Sequence, residues 1–530
     1  MAAPPRRRAT ATAGSGHAPL AQTQQSRLAA LARRHRGFTV LFAAGVLLRL
    51  AAMLAYRPAL WFNDAFEYVA VALRPYPYPL RPDGYSFLLL ALKPAHSFLL
   101  VVALQHLVGL ASAGLVYILC RRLGAPGWAA CLAAAPVMLD AHQVQLEHLV
   151  LSDTVFTGLV LGAVALVLQR GRLSSRRCAT AGAMLAASMI TRPAAVPVIV
   201  LVLAYLTWRR VGWRAVTALV VALAMPLAAY GLWYRTAYGA LALDSSTGIQ
   251  LYGRVAGFAD CRRMHPDPQL AVLCPPDPGN GQAAPLWIWH PVSPLNHIAG
   301  PGFTPAKEQL ARAFAVQAIL TQPLDYLHLV HRDVVHLFSW SRGPYPNDYT
   351  EPGWQFSIHP WPISNQSLPS GGTQASATRA YQGGDARTRV YQPYADLLVG
   401  YQRFVIVRGP LLAALLLLGL LGLATSPSRG TPQSRAELIV VEAAALGLLF
   451  VPIFAVQLDY RYTMPCYPFA GLAAVLGAAR VHGWAAGYRA TTPKQGTSEA
   501  ERRARTLTRT RLTTRPASDA PSPGRRERLQ

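Results

Sequence analysis

The sequence predicts an all-α polytopic membrane protein of about ten transmembrane helices with a small mixed extracytoplasmic domain. Three observations lead there. Of 530 residues, 52% are hydrophobic and only 14% charged, yet 50 Lys+Arg against 24 Asp+Glu leave a formal net charge of +26. A basic nucleic-acid binder would be rich in charge, and a disordered basic chain poor in Leu, Val and Ile, so neither class fits and no nucleic-acid partner is expected. Apolar runs recur along the chain, and the excess positive charge lies in the short segments on one side of them.

Crossing the hydrocarbon core takes roughly 20 apolar residues in helical form. Candidate spans lie at 38–56, 97–119, 126–140, 149–168, 178–191, 194–208, 215–235, 404–425, 436–456 and 463–483, the third and fifth being short. The first follows a long Arg-bearing leader and exceeds a usual signal core, so it reads as a span. With the N-terminus inside, the cytoplasmic segments carry 30 Lys+Arg against 5 acidic residues, whereas the rest carries 20 against 19. This one-sided excess is the positive-inside pattern and places both termini in the cytoplasm. The expected organisation is a basic leader (1–37), a first module of seven spans (38–235) with an outer loop at 57–96, an extracytoplasmic domain (236–402), three C-terminal spans (403–484) and a basic tail (485–530). Leader and tail read as disordered, solvated charge that suits anionic membrane lipids.

In the outer segment, ten prolines between Pro266 and Pro305 argue against regular structure. Helical periodicity follows over Pro305 to Gln322 and Leu324 to Trp340, where Leu327, Val330, Val334 and Leu337 form one apolar face, as in helices lying on a membrane surface. Cys261 and Cys274 are the only cysteines of this segment, and an oxidising exterior makes a disulfide their natural state. His328, His331 and His336 with Asp333 do not share one helix face and read as a polar, headgroup-facing stripe rather than a metal site. The chain carries no Walker pattern and no G-x-S-x-G elbow, which disfavours a nucleotide-dependent cytoplasmic enzyme.

Acidic residues are scarce, so those near the outer face are informative. After the first span comes Trp61-Phe62-Asn63-Asp64-Ala65-Phe66-Glu67-Tyr68, which as a helix puts Asp64, Glu67 and Tyr68 on one face. A basic and aromatic run from Arg74 to Tyr85 follows, containing Arg81. The same membrane face receives Asp140, His142, Glu147 and His148, then Ser152-Asp153, Arg192, and Asp459-Tyr460-Arg461-Tyr462. A carboxylate there can take a proton from a hydroxyl, and arginines can bind a phosphate by paired hydrogen bonds. Two charges fall inside spans, Arg49 and Glu442; each must face the bundle interior or find a partner, and Arg49 lies close enough to the outer side to be a candidate phosphate contact.

Together these segments resemble the GT-C superfamily of polytopic glycosyltransferases, which includes protein O-mannosyltransferases, aminoarabinose transferases and actinobacterial arabinofuranosyltransferases. The resemblance rests on Asn63-Asp64 after span one, Arg81-Pro82-Asp83-Gly84-Tyr85 before span two, Leu151-Ser152-Asp153 entering span four, Thr191-Arg192-Pro193 between spans five and six, and Arg461-Tyr462 with Pro465 entering the last span. It implies a GT-C-like bundle that moves a hexose or pentose from a polyprenyl-phosphate-linked sugar to a cell-envelope glycan, lipid or protein acceptor on the outer face, with inversion at the anomeric carbon. It also implies Asp64 as catalytic base, Arg192 and Arg461 as donor-phosphate contacts, and Asp153, Glu67 and Arg81 as further substrate-binding groups. Where several members carry an Asp-Glu pair this chain has Asn63-Asp64 and then Glu67, and Asp153 stands where many carry Glu, so a divalent metal ion stays an open question. The rival reading is a multi-span transporter or lipid flippase, which would explain buried charge within spans but shows internal repeats more often than this chain does.

Overall fold

The computed structural model describes residues 33–169, 171–276, 283–425 and 435–491, with side chains to 483. The expected disordered leader and tail fall almost wholly outside these residues.

Every apolar run is helical. The first module comprises α1 (Arg36–Ala55), the short strand β1 (Tyr56–Arg57), α2 (Asn63–Leu73), α3 (Gly84–Leu92), α4 (Phe98–Arg122), α5 (Gly127–Leu139), α6 (Ala141–His148), α7 (Asp153–Val167), α8 (Ser175–Thr191), α9 (Val196–Trp208) and α10 (Trp213–Tyr238). After it come α11 (Thr247–Ala256), α12 (Pro305–Thr321), α13 (Pro323–Leu337), α14 (Gln374–Gln382), β2 (Arg389–Val390), α15 (Tyr394–Gln402), α16 (Gly409–Ala424), α17 (Arg435–Ala455) and α18 (Tyr467–Thr491), together with shorter turns.

Among the described residues, five helical segments are long and apolar enough to cross a membrane: Arg36–Ala55, Phe98–Arg122, Trp213–Tyr238, Arg435–Ala455 and Tyr460–Gly483. Four further apolar helices are shorter, Gly127–Leu139, Asp153–Val167, Pro193–Trp208 and Gly409–Ala424. Their shortness has local causes. The α5 helix ends at Asp140, whose carboxylate accepts from the Gln143 backbone N–H at 2.8 Å and starts the next helix, α6, at an angle. A 13-residue helix such as α5 rises about 20 Å, short of a hydrocarbon core of roughly 30 Å. Large apolar side chains face outward on successive helices, including Leu47 (66% exposed), Leu107 (61%), Leu132 (62%) and Met225 (66%). Surfaces of this kind need lipid cover, and the chain is a membrane protein.

Close approach of small residues holds the helices together, as expected where lipid removes the hydrophobic drive between them. On α16, a Cβ at Gly422 would collide with the Gly477 backbone of α18. The main core includes α1 to α9 and the C-terminal helices, and extends to Trp354, Phe356, Tyr381 and Leu398 of the outer segment. Residues 249–319 build a second cluster, in which Tyr252, Trp287 and Phe314 are buried. Antiparallel pairing of Tyr56 with Val390 ties the exit of α1 to the end of the outer segment.

Helix α13 differs from the expected surface helix. Val330 and Leu337 are buried and Leu327 is 53% exposed, but Asp333 is fully buried and belongs to no headgroup-facing stripe. It accepts from Arg254 at 2.5 Å, from the Leu458 backbone N–H at 3.2 Å and from the Tyr345 hydroxyl. Three partners, two of them from distant parts of the chain and none visible in helical periodicity, outweigh its pull towards water. His336 stacks on Tyr345, whereas His328 and His331 are exposed.

Candidate functional site

The end of the bundle that follows α1 is organised around a buried scaffold. The segment after α1 is fixed by backbone hydrogen bonds from Leu60 to His148 (3.1 Å) and from Val150 to Leu60 (3.4 Å), forming a bridge between Leu60 and Leu149. Trp61 stacks on Phe66 at 5.4 Å and donates its indole N–H to the Ala386 carbonyl at 3.0 Å. Phe62 packs on Trp354 at 4.2 Å. Anchored on both sides, the chain turns into α2, with Asp64 in its first turn, where the helix dipole favours a negative group.

Two other sites are set by proline and glycine. Arg192 ends α8 in extended conformation because Pro193 excludes the helical region for the residue before it, so its side chain leaves the helix direction. Gly84 opens α3, and a Cβ there would lie 2.9 Å from the Ile190 backbone and 2.8 Å from Thr191 Oγ1. Only glycine lets the Arg81 loop sit directly against the end of α8. Asp83 fixes that loop by accepting from the Tyr78 backbone N–H (3.1 Å) and the Tyr230 hydroxyl (2.8 Å).

On this frame five of the residues named from the sequence meet in one ionic centre. Arg81 Nη2 donates to Asp64 Oδ1 at 2.8 Å, and Arg461 Nη1 donates to Asp64 Oδ2 at 2.6 Å. Arg461 also grips Asp153, with Nε 3.0 Å and Nη2 2.9 Å from Oδ2. Arg192 pairs with the other Asp153 oxygen. Arg461 therefore bridges the two carboxylates, with its guanidinium carbon 5.3 Å from the centre of the Trp354 ring. Arg81 lies over Tyr68 at 5.0 Å, and the Tyr68 hydroxyl shares a 3.0 Å hydrogen bond with Ser152. Asp459, in the turn before Arg461, caps that residue's own backbone N–H at 3.0 Å.

Charge balance follows from these contacts. Three guanidinium groups face two aspartates, leaving the paired groups one positive charge in excess. Enclosure pushes the Asp64 carboxyl up, but Arg81 and Arg461 outweigh it and hold the group well below the usual carboxylate range. Burial pushes Asp459 up to about 6 despite its backbone hydrogen bond and the nearby Arg461. Glu67 stands outside the ion pairs. It is 7% exposed and lies near Ser370 and Arg81, but neither carboxylate oxygen has a hydrogen bond of acceptable geometry among the described residues. Burial raises its pKa, opposed by Ser370 and Arg81.

Arg49 does not reach this centre. Its guanidinium donates to both Glu147 oxygens (2.8 and 2.7 Å) and to the carbonyls of Gly45 (3.1 Å), Met138 (2.8 Å) and Val137 (3.1 Å), so all five N–H groups are engaged. It is a buried structural ion pair, not a phosphate contact. Glu147 further meets His106 at 2.9 Å and Gln143 at 3.0 Å, and His106 meets His148 at 3.0 Å. The sequence named Arg49 and Glu147 separately; the rule that a charge inside a span needs a partner was the one signal that could have joined them. Asp140 is also structural, accepting from the backbone of Gln143 and of Val407 (2.5 Å). Glu442 faces the bundle interior against Gly419. Arg342, which sequence reasoning missed, donates to His142 at 2.8 Å and to the Val407 carbonyl at 2.6 Å; nothing in its loop signalled this.

Cys261 and Cys274 are joined, with Cα atoms 6.0 Å apart. Among the described residues no group of three His, Cys, Asp or Glu side chains is placed to hold a metal ion. Both Asp64 oxygens face guanidinium groups, a surrounding that suits an anion and does not fit a bound cation.

Neither a protein-family model nor a curated protein matches the sequence. Among solved structures, the chain is similar to an archaeal oligosaccharyltransferase, AglB from Archaeoglobus fulgidus, in complex with an inhibitory peptide and a dolichol-phosphate: 12% identity, 90% of this chain and 54% of that one covered, TM-score 0.36. It is also similar to ArnT from Cupriavidus metallidurans bound to undecaprenyl phosphate, with 14% identity, 86% and 78% coverage, and TM-score 0.31. The chain spans about half the length of the oligosaccharyltransferase.

Proposed function

We propose that the protein is a membrane glycosyltransferase of the GT-C kind, which moves a sugar from a polyprenyl-phosphate donor to an acceptor hydroxyl on the outer face of the membrane. The observation that carries this reading is Arg461 bridging Asp64 and Asp153, with Arg81 and Arg192 completing the centre. Surplus positive charge at the membrane's outer boundary suits a lipid-linked phosphate, and a carboxylate within the same cluster suits proton removal from a hydroxyl.

The reaction is a single displacement. The acceptor oxygen attacks the anomeric carbon, the bond from that carbon to the phosphate oxygen breaks, and its electron pair leaves with the polyprenyl phosphate. Arg461 and Arg192 stabilise the departing charge, and Asp64 takes the acceptor proton. With both its oxygens held by arginines, Asp64 is a weak base. Donor phosphate oxygens compete for Arg81 and Arg461, and as they draw these groups away the basicity of Asp64 rises. The base is thereby released only when a donor is in place. Ten spans, cytoplasmic termini and an outward-facing site complete the proposal, supported by the one-sided distribution of charge.

Replacement of Asp64 by Asn keeps the shape and removes the proton acceptor. In membranes supplied with lipid-linked sugar, D64N should slow transfer by about 100-fold or more. Transfer at the wild-type rate would rule out Asp64 as the base.

A further inference from the structure

Beside the ionic centre is a cavity of about 900 Å³, near the upper end of the range for ligand sites. The two share a wall: Trp354 lines the cavity and also lies under the Arg461 guanidinium, and Tyr460, adjacent to Arg461, lines it too. An occupant would therefore lie next to the proposed reacting groups.

Three residues of the lining carry a polar atom with no partner among the described residues: His142 (4% exposed), Gln145 (2%) and Trp354 (3%). Their polarities can be assigned. Arg342 donates to His142 Nδ1, so that nitrogen is an acceptor; the neutral ring then carries its hydrogen on Nε2, the atom left unpartnered. Burial and Arg342 both push the His142 pKa down and keep the ring neutral. Gln145 commits its amide N–H to the Gly353 carbonyl at 2.9 Å, leaving Oε1 as an unpartnered acceptor. Trp354 Nε1 is an unpartnered donor. Buried polar atoms are costly to leave without partners, and here three from different residues surround one cavity.

Two donors and one acceptor are a poor match for a simple anion, which cannot serve the Gln145 carbonyl, or for a cation, which cannot serve the N–H groups. Of the lining arginines, Arg342 donates to His142 and Val407 and Arg408 to the carbonyls of Trp340 and Arg403; the exposed Arg403 side chain has no partner among the described residues, and the acidic Glu351 shares its wall. Hydroxyl groups both donate and accept. The half-buried Trp361 adds apolar surface on which the C–H face of a sugar ring can pack.

We propose that this cavity is the acceptor subsite and that the acceptor is a neutral carbohydrate, whose hydroxyls pair with His142 Nε2–H, Trp354 Nε1–H and Gln145 Oε1. The proposal rests on the transferase reading and deepens it by naming the acceptor class. The three atoms lie beneath the cavity surface, so engagement involves side-chain rotation.

The test uses the full chain in detergent micelles and saturation-transfer NMR with trisaccharides of mannose, arabinose, galactose and glucose, a Ser/Thr-rich octapeptide, and phosphorylethanolamine as a lipid headgroup. His142→Asn retains an acceptor for Arg342 and deletes the Nε2–H. The expected result is saturation of at least one trisaccharide, weakened about five- to tenfold in H142N as loss of one hydrogen bond implies. Absence of signal from all four trisaccharides, indifference to H142N, or H142N-sensitive binding of the peptide or headgroup instead would overturn the subsite. Cleavage of polyprenyl-phosphate sugar is followed in the same preparation. Donor cleavage lost in D64N without trisaccharide binding rejects the subsite and leaves the transferase reading standing; H142N-sensitive trisaccharide binding with no donor cleavage rejects the transferase reading instead.

Discussion

Arg461 is the residue on which the site turns, because one planar guanidinium satisfies two carboxylates that lie 397 and 308 positions away in sequence. A lysine keeps the charge but offers a single point donor and cannot span both groups. Arg461→Lys should leave the protein folded and slow donor consumption by about ten- to hundredfold, the worth of one or two charge-assisted hydrogen bonds; initial rates in membranes will show it. Asp64, Arg81, Asp153, Arg192 and Arg461 stood out in the sequence because acidic residues are scarce near the ends of its apolar runs and because the short segments that carry these five resemble those of a known family. Their pairing was not, since nothing local marks which arginine faces which aspartate. Arg49 shows the same limit from the other side: its burial was readable, its bond to Glu147 was not.

Asp83 offers a pH test at the same scale. Burial pushes its carboxyl up to about 7, against the Tyr78 and Tyr230 hydrogen bonds. A carboxyl whose folded pKa lies above its unfolded value of about 3.9 favours the folded state while protonated, and that advantage is lost as pH rises between the two values. Asp83→Asn, which stays neutral, should therefore melt at a higher temperature relative to wild type at pH 8 than at pH 5. Melting curves in detergent at the two pH values measure the difference, and an equal offset at both would contradict the assignment.

At the scale of elements, the site depends on how loops are pressed against helix ends. Gly84 allows the loop carrying Arg81 to touch the last turn of α8, just before Arg192. Gly84→Ala should force these apart, at a cost of about 1–3 kcal/mol for overpacking, and should lower transfer more than stability alone explains because Arg81 is carried away from Asp64. Melting temperature and transfer rate, measured together, separate the two effects. The long helices were readable from apolar runs, and Pro193 lies at the boundary expected between spans five and six. The outer segment was harder. Among the described residues the proline-rich stretch holds only short helices, Pro268–Ala271, Ala284–Trp289 and Pro294–His297, and although its tryptophans suit core packing, nothing local marked the partners that Trp354, Phe356 and Tyr381 find in the main core. Packing of loops is set by distant partners, and periodicity carries no information about those.

For the whole molecule, the net charge of +26 describes orientation more than chemistry. Most of the excess lies in segments assigned to the cytoplasm, many of them outside the described residues, while the centre at the opposite end carries a small surplus built from close ion pairs. The central claim is that this centre consumes a polyprenyl-phosphate sugar. Its most direct test is to compare lipid-linked sugars and surface glycans in cells with and without the gene. Loss of the gene should leave one polyprenyl-phosphate sugar unused and accumulating, with a matching sugar missing from the surface. Unchanged lipid-linked pools together with unchanged surface glycans would contradict it.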